Sequence, residues 1–303
     1  MSGLAHIPSR RDEAWRWSDL RAAVSAVGAP EVAPAGEGHI VERLQRGAGA
    51  EPSVRIFTAA NSETLVEPID LSHGFTWRGD TLMLEPGADV TRVIHQHADG
   101  PHGDAGVGAI LNNVVVKAGA RYRQFILAEG ANLARIETHV SIEGEGAEVV
   151  LNGAYLASEG RHSDLTSIIE HKAPGAVTRQ LIKGVARKGG RGVFQGKIIV
   201  DRAAQKTDAR QYHHGMLLEV GAEIFAKPEL MIFADDVQCA HGNTAGGLDA
   251  AALFYMRSRG LPEAQARAML IESFLAETIP ADLTEALRRQ LMERMRAWLE
   301  GGQ

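Results

Sequence analysis

From about Val54 to Gly246 the chain breaks into short apolar runs, most of them five to ten residues long, separated by Gly, Pro, Asp or Asn. Such runs carry no helical period and are bounded by turn residues, so they read as strands. Leu133 to Ile142 is the cleanest: Ala134, Ile136, Thr138, Val140 and Ile142 share one face, and Arg135, Glu137, His139 and Ser141 share the other. That alternation predicts one buried face and one polar face. Gly-Ala pairs at Gly87, Gly119, Gly146 and Gly175 recur 32, 27 and 29 residues apart, as stacked coils of a β-solenoid would place them. A β-sandwich or double-sheet barrel of many short strands fits the same spacing.

The strand region, residues 54–246, is flanked by helical patterns. Residues 1–53 read as a helical segment and linker: Ser18 and Asp19 precede Leu20, Ala23, Val24 and Val27 at helical spacing, Gly28 ends that helix, and a second short helix fits Ile40 to Leu44. Residues 247–303 read as a helical domain. Asp249 to Arg259 form one helix closed by Gly260-Leu261-Pro262, Ala266, Met269, Leu270 and Phe274 mark the next, and Pro280 stops it. Leu283, Leu287, Leu291, Met295 and Leu299 then recur every fourth residue as the stripe of a last helix.

Composition narrows the function classes. Aromatic residues are only 5% of the 303, so the core is built from Val, Ile, Leu and Ala. The 38 acidic residues outnumber the 32 basic ones, no long basic block occurs, and nucleic acid is not an expected partner. No apolar run reaches the roughly 18 residues of a membrane helix, and Met1 to Arg11 lacks the apolar stretch of a signal peptide, which predicts a cytoplasmic protein. Cys239 is the single cysteine, excluding an intrachain disulfide and any all-cysteine metal site made by one chain.

Several constellations carry side chains suited to chemistry. Gly196-Lys197 fails as a phosphate loop, because Arg191 and Ile198 stand where Gly and Ser or Thr are required. His95 and His97, with His102 and Asp104 nearby, could ligate a metal in a cupin-like enzyme, although the segment from His95 to Gly108 reads as a Gly-rich polar loop. Asp235 and Asp236 are adjacent and would point to opposite faces of a strand, which suits a turn better than an acid/base couple. Cys239 and His241, two apart, would share a strand face and offer a thiolate with an imidazole, or else be a buried structural cysteine beside a hydrogen-bonded histidine.

A series of segments in one order carries a family resemblance. They are Leu151-Asn-Gly-Ala-Tyr155, Arg161-His-Ser-Asp164, Gln180-Leu-Ile-Lys-Gly184, Gly192-Val-Phe-Gln-Gly-Lys-Ile198 and Ala204-Gln-Lys-Thr-Asp-Ala209. Lys227-Pro-Glu-Leu230, Ala234-Asp-Asp-Val237, Cys239-Ala-His-Gly242 and Leu253-Phe-Tyr-Met-Arg-Ser-Arg-Gly260 complete it. From Val150 to Ile279 the chain thereby resembles the SufB/SufD family of iron-sulfur cluster assembly proteins. Cys-x-His-Gly followed by Gly247-Leu-Asp249 is more similar to SufD, in a shortened form with fewer coils; Arg11 to Leu20 resembles the family's N-terminal helix. His213-His214-Gly215 departs from the Asn-Arg-Asn-like stretch usual there, so no role is carried over to that turn.

The resemblance implies a mainly β fold, a right-handed parallel β-helix with an N-terminal helix and a C-terminal helical domain. It implies a non-catalytic scaffold that pairs with a SufB-like subunit at His241 and Cys239, with His241 ligating metal jointly with that subunit. It further implies docking of a SufC-like ATPase through the region of Leu253, Phe254, Tyr255, Arg257, Arg259 and Gly260. No cofactor is expected on the single chain, only transient iron or a cluster at the SufB interface. The alternatives to this reading are a cupin-like metal-dependent enzyme using His95 and His97 and a homo-oligomeric structural β-helix, and whether the chain forms a homodimer without SufB is left open by the sequence.

Overall fold

The computed structural model describes residues 7–28, 33–100 and 105–301. The strand region winds into a parallel β-solenoid of about seven turns, each contributing one strand to each of two sheets. One sheet holds β1 (Ser53–Phe57), β3 (Phe75–Leu84), β5 (Val107–Val116), β7 (Leu133–Ile142), β9 (His162–His171), β11 (Arg191–Val200) and β13 (Glu223–Ile232). The other holds β2 (Thr64–Asp70), β4 (Asp89–His97), β6 (Arg121–Ala128), β8 (Glu148–Ala157), β10 (Val177–Ala186), β12 (Asp208–Leu217) and β14 (Gln238–Gly246). Of the two architectures that the spacing admits, the solenoid is the one formed.

The glycines of the Gly-Ala pairs form one corner of the coil. Gly119 donates its N–H to Glu145 O, Gly146 to Pro174 O and Gly175 to Gln205 O, so each turn hangs from the next. The corner needs a left-handed backbone: φ is +67° at Gly146 and +68° at Gly175. In the next coil Lys206 takes this place with φ +64°, the one described non-glycine with positive φ, and bonds through its N–H to Asp236 O at 2.6 Å.

Inward-facing residues stack in register between coils. Val90, Tyr122, Val149 and Ala209 belong to one apolar cluster filled mainly by Val, Leu, Ile and Ala, as the composition predicts. A second interior cluster surrounds Tyr155, whose ring takes the space above its neighbours. A Cβ on Gly184 would lie 1.8 Å from the Tyr155 ring, and one on Gly192 would lie 2.1 Å from it. Two of the segments carrying the family resemblance thus have glycine because a third has tyrosine.

Helices cover the outer sheet faces. α1 (Leu20–Ala26) is capped by the Asp19 carboxylate, which accepts from Ala22 N at 2.9 Å, and α2 (Ile40–Gly47) starts at His39 with a capping box to Glu42. Leu20, Val24, Val41 and Leu44 pack with Val107, Ala109, Leu111 and Leu133 on the β1–β13 sheet. At the other end come α3 (Ala250–Ser258), α4 (Glu263–Ala276) and α5 (Glu285–Glu300). Ile271 and Leu275 of α4 and Leu291, Met295 and Leu299 of α5 share one cluster with Val93, Phe125, Leu127, Ala154, Leu156, Val185 and Met216 on the β2–β14 sheet. The stripe that recurs every fourth residue is therefore glued to the solenoid wall, although its first member, Leu283, precedes the Thr284 cap and lies outside the helix. Among the described residues no helix is long and apolar enough to cross a membrane.

The polar face expected of β7 is not solvated throughout. Arg135 is 1% and Glu137 3% exposed, because the N-terminal segment lies over them, with the Arg135 guanidinium 4.0 Å from the Trp15 ring centroid. Arg135 is paired with Glu137 at 2.7 Å and with Asp164 at 2.7 Å, and Ser18 donates to Asp164. Desolvation pushes the Glu137 carboxyl up, but the Arg135 guanidinium and the hydrogen bonds from His139 and His39 outweigh it and hold the carboxyl well below the usual range.

Replacing Gly184 with Ala is expected to destabilise the chain by roughly 1–3 kcal/mol through overpacking against Tyr155. Urea unfolding of Gly184→Ala alone and combined with Tyr155→Ala checks this. The glycine substitution should lose most of its effect when the ring is absent.

Candidate functional site

The last coil has no successor. Among the described residues β13 pairs only with β11, and β14 only with β12, so each leaves one edge of backbone donors and acceptors open. Such an edge is a template for a further strand. Met231, Ile232 and Phe233, at 41–55% exposure, add apolar surface beside it.

Register fixes what the open end presents. Cys239 stacks on Ala209, His241 on Gln211 and Asn243 on His213. Ala209, Gln211 and His213 are buried inside the solenoid, so Cys239, His241 and Asn243 form the same inward face, exposed at its end. A column running Gln124, Leu151, Gln180, Gln211 and His241 leads through the interior to this imidazole. Cys239 and His241 thus share a face as their spacing predicts. Cys239 is half-buried against the interior cluster, whereas His241 is exposed.

Burial pushes the Cys239 thiol above its ordinary range, partly offset by a backbone hydrogen bond at Ala209. Burial therefore favours the thiol over the thiolate expected from the sequence.

His213 and His214 lie within β12 and not in a turn. The His213 ring stacks on Phe194 at 5.0 Å and 5°; Nε2 meets the Tyr155 hydroxyl at 2.9 Å and Nδ1 meets Asn243 Oδ1 at 2.7 Å. Burial lowers its pKa to about 4, so it is neutral, and its bond to Asn243 anchors the last strand. His214, on the outer face, pairs with Thr244 Oγ1 at 2.7 Å. Sequence alone could not place these histidines, because their order in the strand decides which one is interior.

His95 and His97 end β4 and are not in a loop, and the fold is no cupin barrel. His95 Nε2 is 2.7 Å from Glu129 Oε1, and the same carboxylate accepts from Arg294 of α5, Nε to Oε1 at 3.0 Å and Nη2 to Oε2 at 2.8 Å, so this histidine helps fix a helix to the wall. His102 and Asp104 lie outside the described residues. Gly196-Lys197 sits within strand β11 and not in a loop, and Asp235-Asp236 lie in the bend before β14, as the turn reading has them.

α3 presents the remaining site residues. Phe254 is 74% and Tyr255 59% exposed, Arg257 and Arg259 are exposed, Leu253 is half-buried, and Gly260 closes the helix at φ +90°. Sequence reading missed His39, which α2 brings beside Glu137 and His139; nothing local joins residues so far apart in the chain.

The family model described as SUF system FeS cluster assembly, SufBD core domain, matches residues 45–274. The iron-sulfur cluster assembly protein SufD of Escherichia coli is 35% identical over 173 residues, which cover 57% of this chain and 41% of that protein. A SufBD family protein of Synechocystis is 33% identical over 198 residues, 65% of this chain and 43% of the relative. A chloroplastic protein of Arabidopsis thaliana is 34% identical over 184 residues, 60% and 39%. The chain spans about two fifths of the length of these relatives.

The raised Cys239 pKa predicts that its alkylation by iodoacetamide follows a pH profile displaced upward from that of the same thiol in urea. Rates measured from pH 7 to 10.5 on native and unfolded chain test it, and a native midpoint at or below the unfolded one refutes the burial account.

Proposed function

The chain belongs to the SufBD family of iron-sulfur cluster assembly proteins, and we propose that it is a non-catalytic scaffold subunit of a SufBCD-type complex in the cytoplasm. It pairs with a SufB-like subunit through the last coil and docks a SufC-like ATPase through α3. The observation that carries this reading is the uncapped coil itself. An unpaired strand edge adjoins an inward face carrying an exposed imidazole and a thiol.

One thiol and one imidazole fall short of the four ligands an iron-sulfur cluster takes, so iron or a nascent cluster would be held only jointly with the partner subunit. His241 supplies the neutral nitrogen donor and Cys239 a second ligand. Both are this chain's contribution to a shared and transient site.

The exposed rings of Phe254 and Tyr255, with Arg257 and Arg259, have the character of an interface hot spot. Movement imposed there by ATP-driven dimerisation of the ATPase would reach the wall through α4. The contacts available are Lys183 to Glu277 at 2.6 Å, the same ammonium 4.4 Å from the Phe274 ring, and Asn152 to Thr278 O at 3.0 Å. The chain thus acts as a relay of conformation. The open edge also suits a second copy of this chain when the SufB-like subunit is absent.

Co-purification from native cytosol should recover an ATPase and a SufB-like subunit; recovery of a homo-oligomer alone would favour a structural β-helix. His241→Ala should leave that complex intact by size exclusion and sharply reduce cluster maturation in a Suf-dependent strain. Normal growth with this variant defeats the assignment.

A separate prediction concerns α3. The double variant Phe254→Ala/Tyr255→Ala should weaken ATPase binding at least about tenfold and leave the circular dichroism unchanged, because neither ring is buried. Unchanged affinity by calorimetry would move the docking surface elsewhere.

A further inference from the structure

We propose that His39, Glu137 and His139 form a binding site for one divalent first-row transition-metal ion, remote in sequence from Cys239 and His241 and independent of the cluster-assembly reading. The site lies where the cap of α2 meets the outer face of β7. Glu137 and His139 are two apart and project side by side, and His39 descends from the helix start opposite them. One ligand atom from each residue falls within 4.8 Å of the other two.

The distances suit an ion. Ligands about 2.0–2.2 Å from a tetrahedral metal stand roughly 3.4 Å from one another. Glu137 Oε2 is 3.2 Å from His139 Nε2 and 3.5 Å from His39 Nε2, and the two rings meet edge to face with centroids 5.6 Å apart. Two imidazoles and one carboxylate form a donor set for zinc or ferrous iron, with coordination positions left for water.

Charge and access support the same conclusion. Arg135 holds Glu137 through Oε1 at 2.7 Å, which orients the carboxylate and leaves Oε2 toward the histidines. Because Asp164 also pairs with Arg135, the buried trio of Arg135, Glu137 and Asp164 carries one net negative charge. The His39 and His139 side chains are 26% and 28% exposed, so an ion can enter from solvent, while Glu137 at 4% lies beneath.

One opposing contact sets a condition on loading. His39 Nδ1 accepts from Val41 N–H at 3.3 Å, which leaves the ring proton on Nε2. Coordination through Nε2 moves that proton to Nδ1 and gives up the long cap bond.

The test uses the full chain in a Cys239→Ser/His241→Ala background, stripped of metal, so that the shared cluster site cannot contribute. Equilibrium dialysis against zinc alone, and anaerobically against ferrous iron alone, should give one ion per chain with at least one of them. His39→Ala and His139→Ala should each weaken binding at least about tenfold, with the folded circular dichroism retained. Glu137→Gln, which keeps the shape, should act likewise. Cobalt(II) should give ligand-field bands that His139→Ala removes. Absence of saturable binding in the background chain overturns the proposal, as does one ion bound with unchanged affinity by the His39→Ala/His139→Ala double variant.

Discussion

Every strand between the two ends of this solenoid depends on a strand one coil earlier and one coil later to satisfy its backbone. Parallel pairing supplies N–H and C=O partners only in that direction, so the fold propagates as a stack. The interior follows from the same rule: side chains in register form columns, and a large residue in one coil forces small ones in its neighbours. Tyr155 with Gly184 and Gly192 is one such dependence. At the last coil pairing stops, and the face that was core becomes surface. The candidate cluster-assembly face is therefore the exposed cross-section of the core, with His241 where a buried Gln211 stands one coil before.

Outer faces of parallel sheets cannot remain bare when they carry Val93, Phe125, Leu127, Leu156 and Val185. The tail helices solve this for one sheet and the N-terminal segment for the other. The two coverings differ in chemistry. The tail seals its sheet through an aliphatic stripe, whereas the N-terminal segment buries Arg135 with Glu137 and Asp164. That ionic trio gains little over an apolar filling and is strongly disrupted when one member is lost. Its structural consequence is orientation, since it fixes one oxygen of Glu137 and directs the other at His39 and His139. α3 alone is left with its aromatic rings in solvent, at the junction between the open coil and the helices on the wall.

Legible along the chain are the strand period, the recurring Gly-Ala pairs, the flanking helices and the pairing of Cys239 with His241 on one face. Each of these is local: alternation, a glycine at a forced turn, a capping residue, a two-residue offset. The family-like segments also follow the sequence order, because in a solenoid sequence order and stacking order coincide. Strand length and spacing left stacked coils and a sandwich open, since both use strands of this length; the family resemblance pointed to coils, and the strand pairing shows them. Packing in three dimensions places His95 and His97 at the end of a strand, His213 inside and His214 outside, and pushes the Cys239 pKa up by burial. The meeting of His39 with Glu137 and His139 required a helix to be laid across a sheet, and no pattern along the chain encodes which residues such a crossing brings within a few ångströms.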